Sequence, residues 1–197
     1  MGKRAGIDWE DRIRTYLARM AYVRRGGGLD GRSITPFSYE YSCFEDFHLR
    51  NGVFYQPFRH TGYRTREHGQ CFQNAYSLLD ENPRDLRYCE GFATRGFSPV
   101  YHCWNLDAVG RVVDSTWGWG DPNEDGNPKG YFGVCFPTKL VQEYIEHAPH
   151  YGLLDDPANK WPLLRTAYNP EELLSSMVGN RPERARNLKA YRKNWGY

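Results

Sequence analysis

From Ile7 to Val23 the apolar residues Ile7, Trp9, Ile13, Tyr16, Leu17, Met20 and Tyr22 recur at mostly helical spacing with charges between them. That pattern predicts an amphipathic helix. Arg24 and Arg25 suit its negative end, and the glycine run Gly26 to Gly28 cannot sustain it. The stretch from Pro36 to Tyr63 is dense in aromatic residues but irregular in period, and reads as a short helix around Tyr41 to Leu49 followed by extended segments. Gln70 to Leu79 predicts a helix, with Cys71, Ala75, Leu78 and Leu79 at helical spacing, Cys71 in the first turn and Pro83 beyond the end. Short alternating or apolar runs then predict four strands of an antiparallel sheet: Leu86 to Ala93, Val100 to Leu106, Arg111 to Asp114 and Tyr131 to Phe136. Val109, Gly110 and Arg111 mark a tight turn between the second and third. Glycines, prolines, Asp and Asn make Trp117 to Gly130 a loop, a candidate lid or binding loop. Three helices follow: from Thr138, as cap, through Ile145; from Asn169, as cap with Pro170 in first position, to Val178; and a basic one from Arg181 to Lys193.

The fold class expected is α+β: a helix carrying Cys71 packed on an antiparallel β-sheet, with extra helices at the N- and C-terminal ends. At 197 residues, 40% apolar and 16% aromatic, the chain can bury one core, so residues 1–197 read as a single domain. A charged fraction of 25% with a net charge of +2 excludes the disordered class and singles out no partner. There is no run of about 18 apolar residues, and MGKRAGIDWEDRIR lacks the apolar middle of a secretory signal, so a cytoplasmic protein without a membrane span is expected. Gly6 stands where a myristoylation signal carries a hydroxyl residue. The five cysteines are odd in number and form no C-x-x-C pair, which excludes a complete disulfide framework and the usual zinc spacings. No metal or cofactor is expected.

The candidate chemistry centres on Cys71. The first turn of a helix stabilises a thiolate through free amides and the positive dipole end. His102 and Asp114 supply a proton carrier and a carboxylate to orient it, on successive strands of a predicted hairpin. Side chains directly opposed on such a hairpin come within about 5 Å. Counting from the turn, however, sets Asp114 opposite Leu106 or Asn105, so that a long loop or bulge is expected to bring it level with His102. The backbone amide of Cys71 is the default oxyanion donor. Gln70 either supplies a second donor or points away and braces the loop. Trp104 and Trp117 either wall the site and bind substrate or belong to the core. Asn74 and Glu90 either support the site or are ordinary hydrogen-bonded polar residues, and His68 lies at its mouth or in a surface loop.

Gly69-Gln70-Cys71, then His102-Cys103-Trp104-Asn105, then Val113-Asp114-Ser115-Thr116 resembles the three blocks G-Q-C, H-x-W-N and D-x-T of the transglutaminase-like superfamily, with its papain-like Cys-His-Asp chemistry. The blocks occur in the same order and span about residues 68 to 136, which the resemblance makes the catalytic core. It implies the α+β fold above and acyl transfer, or amide or peptide hydrolysis, through a thioester on a protein, peptide or amide substrate, without a cofactor. The chain's size, and Phe72 where animal transglutaminases carry Trp, make it more similar to small bacteriophage and bacterial members; a phage-encoded protein would work in the host cytoplasm. A second class of reading uses the basic ends. Lys3, Arg4, Arg12, Arg14, Arg24 and Arg25, with Arg181, Arg184, Arg186, Lys189, Arg192 and Lys193 in the basic segment 181–197, would serve a nucleic-acid- or protein-binding module on a pseudoenzyme core. Asp121, Asn123 and Asp125 read as a solvated turn, because the bidentate Glu of a calcium loop is absent.

Overall fold

The computed structural model describes residues 7–27, 39–59, 62–118 and 126–195. Helix α1, Trp9–Tyr22, starts at Asp8, whose carboxylate accepts the Asp11 amide at 3.0 Å, and buries Ile13, Leu17 and Ala21. One wider turn of π type, Val23–Gly27, follows, from which Arg24 and Arg25 reach Glu45 and Asp46. Those acids lie on α2, Phe44–Asn51, which begins three residues later than the aromatic pattern suggests. The backbone amides of Glu40 and Tyr41 bond to the carbonyls of Arg165 and Leu164, so that stretch is tied to a distant segment before the helix can start. After strand β1, Val53–Tyr55, comes α3, Cys71–Glu81, with Cys71 as its first residue.

Strands β2, Arg87–Thr94, β3, Val100–Leu106, β4, Val112–Val113, and β5, Gly130–Phe136, complete a sheet of order β1-β5-β2-β3-β4 in which every pairing is antiparallel. Helices α4, Thr138–Ile145, α5, Pro162–Arg165, α6, Pro170–Gly179, and α7, Arg181–Trp195, follow. The expected α+β fold is the observed one. Asn169 caps α6 as expected, accepting the Glu171 and Glu172 amides at 3.2 and 3.4 Å. Thr138 does not cap α4: it is the first helical residue, and Pro137 precedes it without a side-chain cap.

The two faces of the sheet differ, because side chains alternate along each strand. Tyr88, Cys103, Val113, Val134 and Phe136 face one way, into the main core with Ala75, Leu78 and Leu79 of α3 and Leu140, Val141 and Tyr144 of α4. Phe92 and Phe132, on the same face, meet Ile13 and Leu17 of α1. The opposite face carries His102, Trp104 and Tyr131, with Cys89 and Leu106, in a smaller cluster that includes Tyr55 and Trp117. Gly91 and Gly133 sit opposite each other there, and Gly91 is also level with His102. A Cβ on Gly91 would collide with the backbone of Phe132 and Gly133, and one on Gly133 would lie 2.7 Å from the Trp104 ring. These two positions therefore require glycine, because the strands and the indole close over them.

The β3–β4 connection is set by Asp107. Its carboxylate accepts the amides of Val109 and Arg111 at 3.0 and 2.8 Å, and Gly110 takes φ +84°. The ladder is then only two pairs long, Leu106 with Val112 and Asn105 with Val113.

His48, on α2, is fully buried among Phe47, Phe92 and Tyr101, and neither ring nitrogen has a hydrogen-bond partner. Burial lowers its pKa from 6.5 to about 3. The unfolded chain therefore takes up this proton first: the stability it contributes is full above about pH 6.5 and is lost as pH falls toward 3. Between pH 7 and 5 the wild type is expected to lose about 2 kcal/mol more than His48→Leu, by urea unfolding at the two values. Equal losses would show that His48 is not held neutral. Gly91→Ala is expected to cost several kcal/mol in the same assay, on the order of other overpacked cores or more.

Candidate active site

The first residue of α3 carries the nucleophile candidate. Its backbone amide lies among the first-turn donors without an intrahelical acceptor, at the positive end of the helix dipole. Cys71 is partly exposed, whereas Cys43, Cys89 and Cys103 are buried. On a helix advancing 100° per residue, Phe72 and Asn74 flank Cys71 on its two sides. Asn74 points toward the stretch after β4, donating to Thr116 Oγ1 at 2.9 Å and to the Glu67 carbonyl at 2.7 Å. The Arg66 amide donates to the Ser115 carbonyl at 2.6 Å, so the approach to α3 runs beside the same stretch. Phe72 packs instead against Tyr101, with ring centroids 5.1 Å apart.

His102 Nε2 lies 2.8 Å from Asp114 Oδ2, both residues 2% exposed or less. No bulge brings them together, contrary to the expectation from counting. Continuing the ladder past Val113 sets Asp114 level with Trp104 and diagonal to His102 on the same face, a separation that side chains of this length span. The rest of Asp114 is also fixed: Oδ1 accepts the amides of Thr116 and Trp117 at 2.8 and 3.0 Å, and Oδ2 accepts the Tyr131 hydroxyl at 2.9 Å. With Nε2 on Asp114, Nδ1 is the ring nitrogen left to face Cys71, whose thiol lies near enough to raise the His102 pKa. Because β4 pairs only Asn105 and Leu106, the edge of β3 at His102 is open on that side. That opening lets the start of α3, which packs on one face of the sheet, meet an imidazole rooted on the other.

Burial disfavours the His102 imidazolium, but the charge and hydrogen bond of Asp114 and the contact with Cys71 outweigh it, raising the pKa to about 9. Burial also pushes the Asp114 carboxyl up, while His102 and the Trp117 and Thr116 amides more than offset this and hold it below the ordinary carboxylate value. The Trp117 ring stacks on His102, centroids 4.1 Å apart at 18°, and the Arg95 guanidinium lies 4.5 Å from the Trp117 ring on β2's side while donating to the Trp117 carbonyl.

Of the three residues assigned to oxyanion or substrate binding, Trp117 walls the imidazole as described. Gln70 is exposed, makes no capping bond to α3, and stands beside the nucleophile. Trp104 is corrected: it has no exposed surface and packs beneath the site against Tyr55, Tyr131 and Gly133, so it cannot touch substrate. His68 is exposed. A pocket of about 270 Å³ is lined by Gln70, by Phe72 and Gln73 of α3, by Tyr101 of β3, and by Tyr151 and Gly152, so that it takes in the residues on either side of Cys71 and not Cys71 itself. The buried Glu90 holds that last wall. It accepts the Leu153 amide, the Leu154 amide at 3.3 Å, and the hydroxyls of Tyr88 and Tyr101 at 2.9 and 2.7 Å. Burial raises the Glu90 pKa against those bonds, which favour its charged form. Sequence reasoning missed Tyr131, Arg95 and the 151–154 wall. The parity of β5 against His102 carries the only signal for Tyr131, and the wall is fixed by contacts remote in the chain.

The basic ends are committed within the fold in part, and Arg186, Lys189, Arg192 and Lys193 of α7 are exposed. Arg181 pairs with Glu143, Arg184 is buried between Glu143 and the Tyr144 ring, and Arg14, Arg24 and Arg25 pair with Glu10, Glu45 and Asp46. Lys3, Arg4, Asp121, Asn123 and Asp125 lie outside the described residues, as does the middle half of the proposed lid, residues 119–125. Among the described residues no group of His, Cys, Asp and Glu is arranged to hold a metal ion, and no helix is long and apolar enough to cross a membrane.

A folded-state His102 value above 6.5 means that the contribution of the pair is fully present below that pH and lost as pH rises through about 9. The wild type is therefore expected to lose about 3 kcal/mol between pH 6.5 and 9 in urea unfolding, and Asp114→Asn to show a much flatter profile. A flat wild-type profile would contradict a charged His102. Comparison with protein-family models, with curated proteins and with solved structures found no match to the chain.

Proposed function

We propose that the protein is a cysteine-dependent enzyme that transfers an acyl group, or hydrolyses an amide or peptide bond, through a thioester on Cys71. The observation that carries this reading is one buried imidazole served on its two sides by Asp114 and by the thiol at the start of α3. A charged imidazole beside a thiol at a helix N-terminus favours the thiolate. The thiolate attacks the substrate carbonyl carbon, and the developing oxyanion takes the Cys71 backbone amide, with the Gln70 side chain as a second donor. His102 gives its proton to the leaving amine as the carbon–nitrogen bond breaks, and then takes a proton from the water or amine that attacks the thioester. Asp114 stays ionised throughout, fixing the ring so that Nδ1 faces sulfur. The aromatic pocket beside Cys71 receives the part of the substrate next to the reacting carbonyl.

The test is alkylation of Cys71 by iodoacetamide between pH 5.5 and 9, followed by mass mapping of each cysteine. Wild-type Cys71 is expected to react at pH 6, with His102→Ala slowing it by about tenfold or more at that pH. Labelling of Cys71 that rises only as an ordinary thiol ionises and is untouched by His102→Ala would leave a scaffold without turnover, and the proposal would fail.

A further inference from the structure

Apart from Cys71, the thiols occupy two kinds of setting. Cys43 is buried and pushed up to about 11 by that burial, and Cys103 is buried on the helix-covered face, donating to the Cys89 carbonyl at 3.0 Å. Neither meets solvent. Cys89 and Cys135, in contrast, are direct partners across β2 and β5 on the opposite face. Residues opposed in an antiparallel pair have Cα atoms roughly 4.5 or 5.5 Å apart, and both values fall within the roughly 4.4–6.8 Å that a disulfide bridges. Directly opposed residues project from the same face of the sheet side by side, and each thiol shifts the other's ionisation, as close neighbours do.

The pair is also asymmetric in the way a reactive thiol and its resolving partner are. Cys135 is partly exposed, and Cys89 has no exposed surface. Arg87, exposed and two residues before Cys89, shares its face of β2 and places a cation near both sulfurs. The Cys89 thiol, first, and the Arg87 charge hold the Cys135 thiol below its ordinary value in spite of burial. Cationic, partly exposed surroundings are those in which a cysteine reacts with oxidants.

We propose that Cys89 and Cys135 form a redox-active dithiol that hydroperoxides convert to an intramolecular disulfide. The Cys135 thiolate, its proton released to solvent, attacks one peroxide oxygen: a sulfur–oxygen bond forms, the oxygen–oxygen bond breaks, and the hydroxide or alkoxide that leaves takes up a proton from solvent to become water or an alcohol, giving a sulfenic acid. The Cys89 sulfur then attacks the Cys135 sulfur. The sulfur–sulfur bond forms as the sulfur–oxygen bond breaks, and the Cys89 proton departs with the hydroxyl as water. Two thiols are oxidised by two electrons in all, and one peroxide is reduced. The site is distinct from Cys71 and does not rest on the acyl-transfer reading.

Hydrogen peroxide is the probe, applied to the native full chain and to Cys71→Ser, which removes the other reactive thiol. After free thiols are blocked with N-ethylmaleimide, peptide mapping is expected to find the Cys89 and Cys135 peptides linked as the main oxidised product. The linked species lacks two hydrogens, is released by dithiothreitol, and is lost in Cys135→Ser. Sulfinic acid on Cys135 with Cys89 still free, or both thiols still reduced after Cys71 is consumed, would overturn the proposal. The wild-type peptide map decides this by itself if Cys135→Ser fails to fold.

Discussion

A buried histidine that carries charge must be balanced at close range, and the arrangement around His102 follows from that requirement. Desolvation alone would keep the ring neutral; the adjacent carboxylate of Asp114 reverses this. An ionised Asp114 in the same dry place must in turn be satisfied, which explains why two backbone amides and the Tyr131 hydroxyl converge on it. The turn after β4, the position of Tyr131 on β5 and the stacking of Trp117 are consequences of housing one ion pair.

The same pair sets how the helix meets the sheet. Were β4 longer, its backbone would cover the β3 edge at His102, and the start of α3 would be shut off from the ring. Asn74 holds α3 to the Thr116 stretch, and Phe72 holds it to Tyr101, so Cys71 is fixed from both sides. Glu90 plays the corresponding part on the helix-covered face, drawing the 153–154 backbone over the pocket. One buried carboxylate on each face thus positions one side of the cleft.

Local signals made the elements that matter legible. β3 lies where alternation and turn residues placed it, α6 starts at its Asn-Pro cap, and Cys71 falls in the first turn of its helix. Contacts across the fold were less accessible. Counting from the turn yields the residue opposite Asp114, whereas the bond that matters is diagonal. Trp104 belongs to a motif that reads as a site wall, yet Gly91 and Gly133 leave room for the sheet and indole to close, which buries it. The start of α2 and the wall at residues 151–154 depend on partners more than sixty residues away, Leu164 and Arg165 for one and Glu90 for the other. No periodicity encodes such pairings.

The central claim is that His102 stands charged at neutral pH between Asp114 and Cys71. Nitrogen-15 NMR of the imidazole across pH reads this directly in the wild type and in Cys71→Ala. The account predicts a doubly protonated His102 ring at pH 7 that loses its proton near pH 9 in the wild type and at lower pH once the thiol is gone. A His102 ring already neutral at pH 7, with a titration unmoved by Cys71→Ala, would contradict it.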